Sequence, residues 1–279
     1  HSLDKSIPSS FCSIFDTTLH LFEGSFLVHR KKTSEIERIT ASSQIVFAVQ
    51  QKLEALIAPG ISTLELDEIA EAEIRAMGAV PAFKGYHGFP FSICASVNAS
   101  VVHGFPDETP LQEGDIACID IGALLDGYYG DGAFTIGVGT ISAEAQHLID
   151  GTLACLELGI AQAVPDGRLS DISHAIQRHA DAQGLAIIRE YGGHGIGRSL
   201  HESPHINNYG PPGKGPKLKP GHVFCIEPIL CLGNPEVEHL DDGWTTLTRD
   251  RSLAAHSEHT IAITEDGPLI LTLPIPALA

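Results

Sequence analysis

Four carboxylates stand where a folded chain should bury apolar side chains. Asp120 lies between Ile119 and Ile121, and Glu227 between Ile226 and Pro228. Glu258 opens the run at 258–264, Glu-His-Thr-Ile-Ala-Ile-Thr, and Asp131 sits among Tyr129, Gly130 and Gly132. Burying an ionised carboxylate is unfavourable by several kcal/mol unless something positive compensates. No Lys or Arg adjoins Asp120, Asp131 or Glu227. A divalent metal is the natural compensator, and His194, between Gly193 and Gly195, supplies a nitrogen donor. Three or four carboxylates around two metals balance charge and leave open positions for water and substrate. Oxygen-rich ligation with a single His suits Mn, Fe or Co better than a closed structural Zn site. His103 and His201 lie in Gly-flanked loops nearby. Each residue alone also has a structural reading. Asp120 fits a strand end, Asp131 a Gly-rich turn, and His194 a left-handed turn between glycines. Glu227, among Cys, Ile and Pro, is hardest to explain that way.

Helices and strands must bring these residues together. Ile36, Ile39, Val46, Val49, Leu53 and Leu56 recur at three- and four-residue steps, predicting a helix from Thr33 that Pro59 and Gly60 end. Thr63 is the expected cap of a second helix, which carries Leu66, Ile69 and Ile74 and stops near Gly78. Asp67 and Glu68 favour its positive end. A third helix over residues 143–163 has Leu148, Ile149, Leu153 and Leu156 on one face, and a fourth runs from about Ser170 to Gln183. Strands are expected at residues 91–97, 116–121, 132–138, 222–232 and 258–264. Pro59 to Gly78 and Pro165 to Gly184 both span nineteen positions. The inference is an α/β (α+β) fold built by duplication: a curved antiparallel sheet with two helix pairs on its outer face. Its halves cover about residues 33–140 and 141–279, and residues 1–32 form an N-terminal extension.

Composition narrows the function. The 279 residues carry 35 acidic and 17 basic side chains, a formal charge of −18. That argues against DNA and against an anionic membrane as partner. No apolar run approaches the roughly 20 residues that span a bilayer. Six Cys occur without a C-x-x-C pair, and Cys94, Cys118, Cys155, Cys225 and Cys231 lie in apolar stretches. They read as reduced, packed thiols of a cytoplasmic protein. Residues 1–29 lack the pattern of a secretory signal, and His1 is read as a remnant of cloning or processing. Arg30, Lys31 and Lys32, and the lysines of 214–219, read as solvated loop charges; weak ribosome contact is the other reading. A monomer is expected.

The segment from Tyr191 to Tyr209, Tyr-Gly-Gly-His-Gly-Ile-Gly-Arg-Ser-Leu-His-Glu-Ser-Pro-His-Ile-Asn-Asn-Tyr, resembles the signature of type I methionine aminopeptidases. Flanking matches begin at Gly85 (GYHGFP), Val102 (VHGFPD), Leu218 (LKPG), Ile226 (IEP) and Ser257 (SEHT), so the resemblance runs from about Thr33 to Leu273. It implies the duplicated pita-bread fold and hydrolysis of the first peptide bond of nascent chains that begin with Met. It further implies two divalent ions (Co, Mn, Fe, Zn or Ni) held by Asp120, Asp131, His194, Glu227 and Glu258. In that scheme Asp131 and Glu258 bridge the ions, Asp120 chelates one, and His194 and Glu227 hold the other. Glu227 would be the general base. His201 would stabilise charge on the scissile carbonyl, and His103 would hold the scissile nitrogen.

By the same resemblance Phe83, Tyr86, His87, Phe89, Cys94, Leu200 and Trp244 form an apolar pocket for a thioether. Read as residues alone, Phe83 and Phe89 also suit an ordinary core. Many relatives have Cys, Tyr and Phe at the positions of Phe83, Phe89 and Leu200, which bears on the pocket's size. The run from Asp120 to Ala123 also resembles Xaa-Pro aminopeptidases and prolidases of the same fold. The histidine loop and the Tyr86-His87 pair favour Met as substrate. A catalytically inactive, peptide-binding relative is the third reading, but all five ligand positions are filled.

Overall fold

The computed structural model describes residues 28–275. Most of the expected extension, and His1, lie outside the described residues. α1 (Thr33–Glu54) buries Ile39, Val46, Val49 and Leu53. Leu56, expected on that face, falls past the helix end and is exposed. α2 (Thr63–Ala76) is capped by Ser62, not Thr63. The Ser62 hydroxyl accepts from the Glu65 amide, and the Glu65 carboxylate accepts back from the Ser62 amide. Asp67 does more than face a helix dipole. It is buried and accepts the Ser92 and Ile93 amides at 2.7 and 3.0 Å.

α3 (Ala143–Ala161) and α4 (Leu169–Gln183) form the second helix pair. Leu153 is exposed rather than buried. The inner face of α3 buries Leu148, Cys155, Leu156 and Ile160, and Gly151 and Gly159 let Leu185 and Ile176 approach the helix backbone. Among the described residues, no helix is long and apolar enough to cross a membrane.

The first helix pair leads into β1 (Val80–Pro81), β2 (Ile93–Val97), β3 (Ser100–Val102), β4 (Ile116–Leu125) and β5 (Tyr128–Gly137). The second leads into β6 (Ala186–Ile187), β7 (Gly192–Gly195), β8 (Glu202–Asn207), β9 (Val223–Ile226) and β10 (Ile229–Cys231). The chain closes with β11 (Val237–His239), β12 (Thr246–Thr248), β13 (Ala254–His256), β14 (His259–Thr264) and β15 (Gly267–Ile270). Helix pair followed by antiparallel strands thus occurs twice. Hydrogen bonding resolves the strands into two larger ladders, β1-β4-β2 with β5 on β4, and β15-β14-β9-β7-β8. Two three-stranded ladders complete them, β13-β10-β6 and β11-β12-β3.

Two strand boundaries differ from expectation in ways that matter. β5 begins at Tyr128, after a turn at Asp126 and Gly127 with φ of 49° and 77°. Asp131 is therefore inside a strand and not in the turn. The run 222–232 splits at Glu227 and Pro228, because proline has no amide to donate to a ladder.

A seam joins the two halves along β5. The Glu258 amide donates to the Ala133 carbonyl at 2.8 Å, and the Ala133 amide donates back at 3.3 Å. On one side, the Thr260 hydroxyl donates to the Asp131 carbonyl at 2.7 Å and accepts the Asp131 amide. On the other, the Thr135 hydroxyl donates to the His256 carbonyl at 2.7 Å and accepts the His256 amide. Pairs 131/260, 133/258 and 135/256 keep one antiparallel register, with threonine hydroxyls standing in for backbone partners.

Lys31 is not a solvated charge. It is buried, pairs with Glu202, and its amide donates to the Gly221 carbonyl at 2.7 Å.

Asp67 ties α2 to β2, so Asp67→Ala should lower unfolding free energy by about 3 kcal/mol, two buried amides being left without acceptors. Urea unfolding followed by circular dichroism checks this; a change within 0.5 kcal/mol or so would show that the tether is dispensable.

Candidate metal centre

The fold brings all five sequence-predicted ligands to the seam. In the β4–β5 ladder Asp120 pairs with Ala133 and Gly122 with Asp131. Asp120 and Asp131 are therefore diagonal neighbours on one face. Ile226 pairs with His259, and Ile229 pairs with His256. The register is unchanged across the break, so Glu227 and Glu258 stand opposite each other where Pro228 interrupts the ladder. The Glu258–Ala133 bonds bring that pair against Asp131.

His194 lies in β7 opposite Cys225 of β9. Its flanking glycines serve close packing. A Cβ on Gly193 would meet the Cys225 carbonyl oxygen at 2.2 Å. Neither Gly193 nor Gly195 has a positive φ, which removes the left-handed-turn reading of this motif.

His194 Nδ1 donates to the Gly195 carbonyl at 2.9 Å, which leaves the Nε2 lone pair free. Nε2 lies 3.6 Å from Glu227 Oε1 and 3.9 Å from Asp131 Oδ2. Donor atoms of Asp131, His194, Cys225 and Glu258 all lie within 4.8 Å of one another. Burial pushes the Asp120 carboxyl up to about 7. Burial, then the charges of Glu258 and Asp120, pushes Asp131 well above the usual carboxylate range. Burial and the neighbouring acids do the same to Glu227 and Glu258. Burial lowers His194 to about 3, so its contacts with the acids join a neutral ring to carboxyl groups.

The residues fit a metal. Among the described residues, seven buried side-chain oxygens or nitrogens lack a hydrogen-bond partner. Four belong to this cluster: Asp120 Oδ1, Asp131 Oδ1, Glu258 Oε1 and His256 Nε2. Among the ion pairs of the described residues, none joins these acids to Lys or Arg. Oxygen donors, an available imidazole lone pair and uncompensated acidity are the donor set of a divalent cation.

His201 and His103 flank the acids. The His201 ring lies 4.3 Å from that of His194, and its Nδ1 is 2.9 Å from the Tyr86 hydroxyl. His103, with φ of 57°, sets its ring edge against Tyr191 at 5.5 Å and Trp244 at 6.2 Å. Burial lowers it to about 4. Phe83, Phe89, Cys94 and Leu200 are buried in one apolar cluster, with Tyr86 and Trp244 packed against it. Phe89 meets Trp244 edge-on at 5.1 Å. Cys94 pairs with Asp120, which links this cluster to the acids. His87 stands apart from the cluster, exposed and stacked edge-on with Tyr86 at 4.4 Å.

The sequence reading missed three neighbours. Phe105 packs on Phe89 at 5.4 Å, and Cys225, read only as a packed thiol, lies among the acids. His256 is buried with Nε2 3.7 Å from Glu227 Oε2. The signal for it was present, since strand alternation puts residues 256 and 258 on one side of the chain.

Residues 37–265 match the model of metallopeptidase family M24. Methionine aminopeptidase 1 of Bacillus subtilis is 50% identical over 242 residues, covering 87% of this chain and 98% of that protein. Methionine aminopeptidase 1 of Mycobacterium tuberculosis is 48% identical over 257 residues, covering 90% and 97%. The crystal structure of methionine aminopeptidase from Thermotoga maritima superposes with a TM-score of 0.87 at 40% identity, over 89% of this chain and all of that one. Prolidase from Pyrococcus furiosus shares the fold, with a TM-score of 0.73 at 24% identity, over 90% of this chain and 67% of that one.

Without metal, the acids should make stability fall as pH rises. Their folded values are raised, so between the unfolded carboxylate value of about 4 and the folded one the native state holds the extra protons. Below about 6.5 the buried histidines oppose this, because they remain neutral while their unfolded counterparts are protonated. Above it the acids act, joined toward pH 8.5 by buried thiols such as Cys94 and Cys225, whose values burial also raises and which push the same way. The melting temperature of chelator-treated protein should therefore decline from about pH 6.5 to 8.5, and Mn(II) should raise it and flatten the slope. A metal-free melting temperature that climbs over that interval would contradict the raised values of the four acids.

Proposed function

The chain belongs to metallopeptidase family M24, and from that premise we propose that it removes the N-terminal methionine from peptides and nascent proteins by metal-assisted hydrolysis. The activity is that of a methionine aminopeptidase, a metallo-exopeptidase. The observation that carries the reading is the set of buried acids with unpartnered oxygens beside an imidazole whose Nε2 is free.

Asp120, Asp131, His194, Glu227 and Glu258 would hold two divalent ions. The oxygen-rich donor set favours Mn, Fe or Co, with Zn and Ni as further candidates. Bound there, such ions supply Lewis acidity and lower the pKa of water toward neutrality. Glu227 takes the proton of the attacking water at a carboxylate oxygen. His201 donates a hydrogen bond to the scissile carbonyl oxygen as negative charge develops on it. Its contact with the Tyr86 hydroxyl supports that orientation. His103 holds the scissile nitrogen and assists its departure. The cluster of Phe83, Phe89, Cys94, Leu200, Tyr86 and Trp244 receives the thioether and excludes water, with His87 at the rim.

The same proposal takes residues 33–279 as the catalytic unit, two pseudo-symmetric halves behind an extension at 1–32. It has the chain act as a cytoplasmic monomer. Ribosome contact would fall to exposed lysines such as Lys217, since Lys31 is buried.

Reconstituted with Co(II) or Mn(II), the protein should release Met from Met-Ala-Ser and nothing from Ala-Pro-Ala. The reverse preference would favour an Xaa-Pro peptidase, and silence on both with metal bound would favour an inactive peptide binder. Glu227→Ala should lower kcat by at least about a hundredfold while circular dichroism stays native. Full turnover in that variant would remove Glu227 from the mechanism.

A further inference from the structure

His256 ends β13, two positions before Glu258. Its backbone is held from both directions. The amide donates to the Thr135 hydroxyl at 3.0 Å, and the carbonyl accepts from that hydroxyl at 2.7 Å. The residue also pairs with Ile229 in the β10–β13 ladder. The side chain is therefore aimed by the seam. It is 2% exposed, and its Nε2 has no hydrogen-bond partner.

The surroundings of that nitrogen match those of His194. His256 Nε2 lies 3.7 Å from Glu227 Oε2 and 3.8 Å from Glu258 Oε2. His194 Nε2 lies 3.6 Å from Glu227 Oε1 and 3.9 Å from Asp131 Oδ2. The two oxygens of Glu227 are thus flanked by two imidazole nitrogens, one on each side. All four separations are too long for hydrogen bonds. They are close to the spacing of donors around a shared cation, about 3.4 Å for two bonds of about 2.1 Å at the tetrahedral angle.

We propose that His256 Nε2 is a direct nitrogen donor to the metal centre, so that the centre holds two imidazoles, His194 and His256. The inference rests on the reading of the acids as a divalent-metal site. A nitrogen donor on each side of Glu227 moves the centre from the hard, oxygen-preferring metals toward Co, Fe or Zn. It also gives the unpartnered Nε2 a partner, which no hydrogen bond does.

The test is proton NMR of the full chain titrated with Co(II), reading the hyperfine-shifted, solvent-exchangeable imidazole N–H signals. Two such signals are expected in the wild type. His256→Gln should lose one and keep the His194 signal, and its affinity for Co(II), measured by calorimetry, should fall at least about tenfold at one ion. A wild-type spectrum with a single shifted imidazole signal overturns the role of His256 and leaves the metal site standing. Unchanged shifted signals and affinity in the variant overturn it equally. Failure of Co(II) to bind at all would remove the metal reading and this inference together. Should the variant not fold, the count in the wild type decides alone.

Discussion

Four carboxyl groups packed side by side out of water cannot all carry charge unless a cation joins them. That constraint governs this molecule. Asp120, Asp131, Glu227 and Glu258 converge with no Lys or Arg paired to them, and burial raises every one above the ordinary carboxylate range. A stability-driven core would replace such groups by apolar ones of similar volume. Keeping them is reasonable only if the folded chain spends its working life with positive charge at this point. The neutral state of His194 points the same way, because a protonated ring could compensate one acid but could not coordinate a metal.

The constraint explains where the site sits. Asp120 and Asp131 come from one half of the chain, and His194, Glu227 and Glu258 from the other. Backbone at the join must be held firmly, yet an unbroken ladder would leave no room for side chains to converge. The structure meets both needs at once. Thr260 and Thr135 bond sideways to β5 through their hydroxyls, while the Ala133–Glu258 bonds keep the register between them. Pro228 opens the neighbouring ladder at Glu227, so that carboxylate faces Glu258 without displacing either strand.

Much of this was legible in the sequence, and the reasons differ by residue. Glu227 and Asp120 stood out because a charged group among Ile, Cys and Pro contradicts its local pattern. The first and third helices followed from apolar period, and the second and fourth leaned on cap and stop residues such as Thr63, Gly78 and Gly184 as well. Asp131 was legible as chemistry but not as strand, since Tyr-Gly-Asp-Gly has turn composition; only its pairing with Gly122 makes it extended. The cap was placed one residue late, at Thr63, because adjacent Ser and Thr suit the position equally and only the reciprocal bond between Ser62 and Glu65 distinguishes them. Leu153 was misplaced because its apolar identity fitted the period, whereas the buried face of α3 runs through Leu148, Gly151, Cys155, Leu156 and Gly159. Lys31 looked solvated because its partner Glu202 is far away in sequence. His256 was legible only through its alternation with Glu258, and its approach to Glu227 comes from pairing distant in sequence.

In the proposed function, chemistry and selectivity share a strand pair, and this limits how the proposed pocket can vary. Cys94 on β2 pairs with Asp120 on β4, so the proposed pocket wall and this acid are locked in one register. Two residues along β4, a Cβ on Gly122 would meet the Phe83 ring at 2.6 Å. Phe83 and Gly122 are therefore a matched pair, the bulk of one filling the space left by the other. The backbone that presents Asp120 is also fixed from the opposite side by β5 and, through it, by the seam. Phe89 and Leu200 lie in the same apolar cluster but off the β4–β5 ladder, so their size can change while the acid face stays in place, whereas added bulk at Phe83 presses on Gly122. Substrate preference can drift on such a scaffold through packing alone, whereas any change that shifts β4 or β5 moves pocket and acids together.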